Sequence, residues 1–274
     1  MAVWINGELL PDEQGRISVF DHGLVVGDGV FETIKVTSGT PFALTRHLQR
    51  LATSAAGIGL PPPDLEHIRQ GVLDVIAAAP GLALGRLRIT VTGGIGPLGS
   101  ERAASPPTAI IALAAQQPAA ESVDVVTVPW RRNEHGALTG LKTTSYAENV
   151  RALSYAHERG GTEAIFPNIA GNLCEGTGTN VFLVIDGQLV TPPLSAGPLA
   201  GITRALVLEW VGAEETDVPV EALAGAQEAF LTGTSRDVQP IRKVNGSVLA
   251  AVPGPVTRKA AEVFAMRAGE SPDP

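Results

Sequence analysis

Four lysines occur in the chain: Lys35, Lys142, Lys243 and Lys259. Lys142 lies in "GALTGLKTTSYAEN", between a glycine-broken segment and an alanine-rich helical stretch. A lone lysine at such a junction is either a solvated surface residue or a nucleophile. In a desolvated setting a lysine amine attacks carbonyl compounds and forms Schiff bases. If that carbonyl belongs to pyridoxal phosphate, the chain must also supply an acid for the pyridine nitrogen, a cradle for the phosphate and a means of holding the ring.

Each requirement has a candidate. Glu175, in "CEGTGTNVF", is a carboxylate in an apolar, glycine-rich stretch, where it is costly unless paired. A protonated pyridinium would be such a partner, and a turn glutamate facing water is the alternative. "AGITRALVLEW" places Ile202 and Thr203 at a predicted helix start, where free N–H groups and the positive dipole end favour an anion. "LTGTSRD" sets Thr234 just after a predicted strand, and Arg50 in "RHLQRL" offers a charged clamp. Taken singly, each also reads as a cap, a turn or a surface charge.

In order along the chain stand "GDGVFETIKV", "HLQRL", Lys142 with "TTSYAEN", "CEGTGTNVF", "GITR" and "TGTS". This series resembles the class IV, or fold-type IV, pyridoxal-phosphate enzymes: D-amino-acid and branched-chain aminotransferases, (R)-amine transaminases and 4-amino-4-deoxychorismate lyase. The resemblance implies a mixed α/β, α+β chain with a small N-terminal domain, a larger C-terminal cofactor-binding domain and the active site between them. It implies Lys142 as the Schiff-base lysine and Glu175 at the pyridine nitrogen. Arg50, Ile202, Thr203 and Thr234 would bind the phosphate. Tyr146 would stand near the cofactor hydroxyl, and Phe31 would line the substrate pocket. It also implies a homodimer and small-molecule partners, amino donors and 2-oxo acids. The leading activity is transfer from a D-amino acid, and also from an (R)-amine, to a 2-oxo acid. The lyase reaction and branched-chain L-amino-acid transfer are the alternatives.

The chain departs from the resemblance in one loop. D-amino-acid members carry an arginine and a histidine there to bind the substrate carboxylate. In register, "TGGIGPLGSE" has Leu98 and Ser100. Arg102, Arg131 and Arg132 are replacements by position only.

The elements that must position these residues follow from pattern. Asn6-Gly7 predicts a hairpin of two short strands, and Asp186-Gly187 another. "VFETIKV" predicts a strand turning at "TSGTP" into a partner "FAL". A helix is expected from Thr45, its N-cap, to about Gly57, a second over about 64–79, a third over 146–159 and a last in "GPVTRKAAEVFAMRA". "QQPAAES", near 116–122, reads as a linker between domains 1–117 and 122–274, and the tail "GESPDP" as frayed.

Composition narrows the class. With 274 residues, 44% hydrophobic and 18% charged, the chain can build a sizeable core. A net charge of −8 argues against a general nucleic-acid binder. A single cysteine, Cys174, leaves no intrachain disulfide and no cysteine-rich metal site. With neither a leader pattern nor a membrane-length apolar run, a cytoplasmic protein bound to no membrane is expected.

Overall fold

The computed structural model describes residues 2–274. It divides into two units. The first holds residues up to Gln117 together with Leu141–Tyr146 and Pro272–Pro274, and the second holds Pro118–Gly140 and Ala147–Ser271. The Lys142 segment therefore packs with the first unit, although the domain boundary read from the sequence puts it in the second.

The first unit is one antiparallel sheet of β1 (Ala2–Ile5), β2 (Glu8–Pro11), β3 (Gly29–Thr37), β4 (Thr40–Pro41), β5 (Leu84–Thr92) and β6 (Thr108–Ala115), in the order β2-β1-β6-β5-β3-β4. A one-turn helix α1 (His22–Val25) precedes β3, and α2 (Leu44–Gly57) and α3 (Leu65–Ala77) follow β4. The Asn6-Gly7 hairpin forms as expected, with both residues at positive φ. The alternation of β3 is set by two faces. Val30, Ile34 and Val36 pack on Leu48, Leu51, Val72 and Val75 of α2 and α3. Phe31, Thr33 and Lys35 face the other way, opposite Thr90, Arg88 and Arg86 of β5.

Two local expectations need correction. The partner of β3 after its turn is Thr40–Pro41, not "FAL", because Ser38 and Gly39 take positive φ and close the hairpin early. Thr45 is not an N-cap. The helix starts at Leu44, and the capping position is Ala43, which is left-handed and has no side chain able to cap. The tail supplies the cap and is not frayed: Asp273 accepts from the Thr45 N–H at 2.8 Å and from its hydroxyl at 2.6 Å, Pro272 O from the Ala43 N–H at 2.7 Å, and Pro274 O from Arg46 Nε at 2.8 Å.

The second unit is a larger mixed sheet. Its strands are β7 (Val123–Thr127), β8 (Glu163–Pro167), β9 (Leu173–Gly176), β10 (Asn180–Ile185), β11 (Gln188–Thr191), β12 (Glu214–Glu215), β13 (Glu228–Gly233), β14 (Asp237–Val244) and β15 (Ser247–Val248). The main path runs β12-β11-β10-β13-β14-β7-β8-β9. Its helices are α4 (Ala147–His157), α5 (Ile202–Trp210), the short α6 (Ala222–Gly225) and α7 (Pro255–Glu270). Val181, Phe182, Leu183, Phe230 and Leu231 are all buried, so β10 and β13 lie covered on both faces, as central strands of such sheets do. Buried Glu228 caps α7, accepting the N–H groups of Val256 and Thr257 at 3.2 and 2.7 Å. The expected 146–159 helix is α4, shorter at both ends. Among the described residues no helix is long and apolar enough to cross a membrane.

Candidate active site

Lys142 precedes α4 by five residues but belongs to no long strand. Its segment adds one antiparallel bridge, Thr143 to Val30, beside β3. The Lys142 carbonyl accepts the Phe31 N–H at 3.0 Å, and its own N–H donates to Ser54 Oγ of α2 at 3.1 Å. Thr144 and Ser145 hydroxyls donate to the Gly27 carbonyl at 2.7 and 3.1 Å. Six residues of chain are thus pinned from both sides, and Lys142 ends up only 9% exposed. Its Nζ stands 4.4 Å from the Phe31 ring centroid and 5.8 Å from that of Tyr146, and the two rings meet edge to face at 5.1 Å.

Two groups near this lysine escaped sequence reasoning. The first is Glu32, fully buried on the inner face of β3 among apolar neighbours. It accepts from Arg50 through Nε (2.8 Å) and Nη2 (2.7 Å), and from His47 Nδ1 (2.6 Å). Burial alone would raise its pKa. The Arg50 charge and bonds, then those of His47, outweigh burial and hold it at about 2. His47 is pushed down, mainly by burial, with Arg50 and Lys142 adding positive charge nearby. Arg50 is therefore held firmly in place by a carboxylate.

The second is Arg88. Its guanidinium carbon lies 3.7 Å from the Phe31 centroid, on the ring that also faces Lys142 Nζ. Its hydrogen bond goes to Thr90 Oγ1 at 3.2 Å, and no carboxylate pairs with it among the described residues. Burial of its guanidinium lowers its pKa, and the nearby Tyr146 opposes this only in part.

The three arginines named as replacement carboxylate binders are otherwise engaged. Arg102 grips Asp28 through Nε (2.7 Å) and Nη2 (2.5 Å) and donates to the carbonyls of Ile58 and Gly59. It thereby anchors the glycine-rich loop, holding the Asp28 carboxyl below its usual range. Leu98, 70% exposed, and Ser100 lie outward on that loop. Arg131 donates to the carbonyls of Asn168 and Ile169. Arg132 pairs with Glu148, donates to Asn149 Oδ1 at 2.8 Å and stacks on Phe166.

In the second unit, Glu175 sits on β9. Its Oε2 accepts the Leu199 N–H at 3.0 Å, and its Oε1 lies 3.4 Å from Arg132 Nε. Arg132 is thus a neighbour of Glu175, and its buried Nε makes no hydrogen bond. Ile202 and Thr203, both buried, open α5 with Gly201 at the cap and no side-chain cap bond. A Cβ on Gly201 would collide with Asn180 Oδ1, so any larger residue there must displace the Asn180 side chain. Thr234 follows β13 in a turn. Two buried hydroxyls lack a protein hydrogen-bond partner, Thr179 Oγ1 just before β10 and Thr232 Oγ1 on β13.

In the first unit a buried amine beside two aromatic rings, and in the second a part-buried carboxylate and an uncapped helix start, are by their donor chemistry groups of the kinds that pyridoxal phosphate requires. The fold is that of the fold-type IV enzymes. It superposes on a branched-chain aminotransferase from Thermoproteus uzoniensis, solved with norvaline, with a TM-score of 0.89 at 32% identity, covering 97% of this chain and 93% of that one. Residues 29–244 match the family model "Amino-transferase class IV". A provisionally named branched-chain-amino-acid aminotransferase of Methanocaldococcus jannaschii is 33% identical, over 96% of this chain and 95% of its own. A D-alanine aminotransferase of Staphylococcus haemolyticus is 30% identical, over 96% of each. The chain belongs to the class IV aminotransferases, which depend on pyridoxal phosphate.

Proposed function

We propose that this aminotransferase acts on carboxylate-bearing amino acids, with Arg88 as the contact for a substrate carboxylate. The carrying observation is Arg88 itself: an arginine without a carboxylate partner, against the ring that faces Lys142. The glycine-rich loop offers no such group, since Arg102 is spent on Asp28. Donors with a carboxylate are then favoured over plain (R)-amines.

Pyridoxal phosphate supplies an aldehyde that takes the amino group and a ring that draws electrons from the substrate Cα. Lys142 would hold it through its amine and would carry the proton at the substrate Cα. Glu175 holds the ring nitrogen protonated, and Tyr146 holds the ring hydroxyl. The N–H groups of Ile202 and Thr203, with Thr234 and Arg50, take the phosphate. Phe31 keeps water from the Lys142 amine.

The donor is read as a D-amino acid. The "GDGVFETIKV" strand and a D-alanine aminotransferase matching over 96% of the chain support this. A branched-chain L-amino acid is the second reading, favoured by the 33% identity to the M. jannaschii protein. The enzyme is read as a homodimer. Val19, Phe20, Leu24, Ile95 and Leu98 of the first unit are exposed apolar side chains that a second copy would cover. Light scattering on the eluting protein decides this.

Half-reactions with D-alanine, L-leucine and (R)-1-phenylethylamine test the substrate. D-Alanine should convert the cofactor to its amine form fastest. Arg88→Ala should lower kcat/KM for amino acids by roughly 10- to 150-fold, the worth of one charge-assisted hydrogen bond, and leave the amine unchanged. An equal loss for all donors would show that Arg88 does not touch the carboxylate. A faster reaction with L-leucine would establish the branched-chain reading.

A further inference from the structure

Glu163 begins β8 and is 2% exposed, yet no reaction step uses it. Its Oε1 accepts the Thr177 N–H at 3.0 Å, the Thr177 hydroxyl and the Ala164 N–H at 3.1 Å. Its Oε2 pairs with Arg236 Nη2 at 3.1 Å. Arg236 in turn donates through Nη1 to Gln239 Oε1 at 2.7 Å, and Gln239 Nε2 donates to the Ala120 carbonyl at 2.7 Å. Thr177 stands two residues beyond Glu175, and Arg236 two residues beyond Thr234. Asn149 Nδ2 secures the Thr177 carbonyl from α4. The chain also crowds the carboxylate: a Cβ on Gly176 would collide with Thr179 Oγ1 and lie 3.4 Å from Glu163 Cδ.

A buried ion pair is a poor source of stability, because desolvation offsets most of the attraction. What this one provides is direction. One carboxylate on a strand inside the sheet ties together two separate segments, each leading to a group assigned to the cofactor. We propose that Glu163 is a positioning residue, fixing the separation between the Glu175 strand and the Thr234 turn so that the ring and phosphate ends of one cofactor are met together. This rests on the reading of Glu175 and Thr234 as cofactor contacts.

Glu163→Gln keeps the shape but removes the charge that orients Arg236. Arg236→Met removes the other partner from a less buried site. In pyridoxal-phosphate titrations of the apoenzyme, each variant should weaken binding by roughly 10- to 150-fold, the worth of one charge-assisted hydrogen bond. The double variant should lose little more, since the pair acts as a unit. The phosphorus resonance of the bound phosphate should shift in both. Thermal unfolding of the apoenzyme separates this from a packing role. A lower Tm with unchanged affinity and an unchanged phosphorus resonance overturns the proposal. Glu175→Gln is the control. If it shifts the visible band of the bound cofactor while Glu163→Gln and Arg236→Met leave affinity alone, positioning by Glu163 is refuted and the cofactor assignment stands. If none of the three has an effect, the cofactor assignment fails, and the proposal with it.

Discussion

Replacing Glu32 by glutamine should cost the fold about 3–5 kcal/mol at neutral pH, because part-buried Arg50 and buried His47 are left against a neutral amide. The titration of the carboxyl gives a second route to the size. It is held at about 2, against an ordinary 4.5. A carboxyl depressed on folding stabilises the protein above its unfolded pKa and loses that contribution as pH falls through the folded one. The interval corresponds to about 3 kcal/mol, present in full above about pH 5.5. At pH 3 about 2 kcal/mol of it is gone, because the unfolded chain has bound the proton and the folded one has not. Urea unfolding of parent and Glu32→Gln, followed by circular dichroism from pH 7 to pH 3, measures both. At pH 7 the midpoint should fall by about 1–2 M, given a slope of roughly 2–3 kcal/mol per molar. The gap should narrow steadily below pH 5. A midpoint change under about 0.5 M, or a gap of the same size at pH 3 and pH 7, would refute the network as an energetic unit.

Borohydride reduction of the loaded enzyme should place the phosphopyridoxyl group on Lys142, as read by peptide mapping. Lys142→Ala should lose that label and nearly all turnover, while still binding the cofactor reversibly. Gly201→Ala should weaken cofactor binding by tenfold or more, since Asn180 must move away from the α5 start; apoenzyme titration shows it. Asp273→Ala should destabilise the first unit by about 0.5–2 kcal/mol in urea, the ordinary worth of a helix N-cap.

Much of the frame was legible in the sequence because its signals are local. Asn6-Gly7 and Asp186-Gly187 announce their hairpins by backbone demand alone. What was missed depends on distant partners. Thr45 reads as a cap until Asp273 is seen to cap it. Strand β14 is hidden in the sequence by Pro240, yet that residue takes its place opposite Phe230 in the β13 ladder, and the β7 ladder begins only after it, at Ile241. Arg102 looked available for substrate only because Asp28 stands 74 residues away. Glu32 was within reach: in "GVFETIKV" it falls in phase with Val30, Ile34 and Val36, and a carboxylate at a core position demands a partner. Arg88 had a weaker signal, an arginine on the Phe31 side of the paired strand, which emerges only once the register is known.

The cap on α2 has a consequence for how the molecule is made. The residues that accept from Ala43 and Thr45 leave the ribosome some 228 positions after Thr45 does. Lys142 and its neighbours, which complete the edge beside β3, emerge sooner, shortly after β6 ends at Ala115. The first unit thus waits, with one helix start open, while nearly all of the second is translated. Such late closures favour slow, post-translational completion and expose the early segments to misassembly in the meantime. A carboxy-terminal fusion that pulls Asp273 away would prolong this vulnerable interval, and its damage would show first as lost soluble yield.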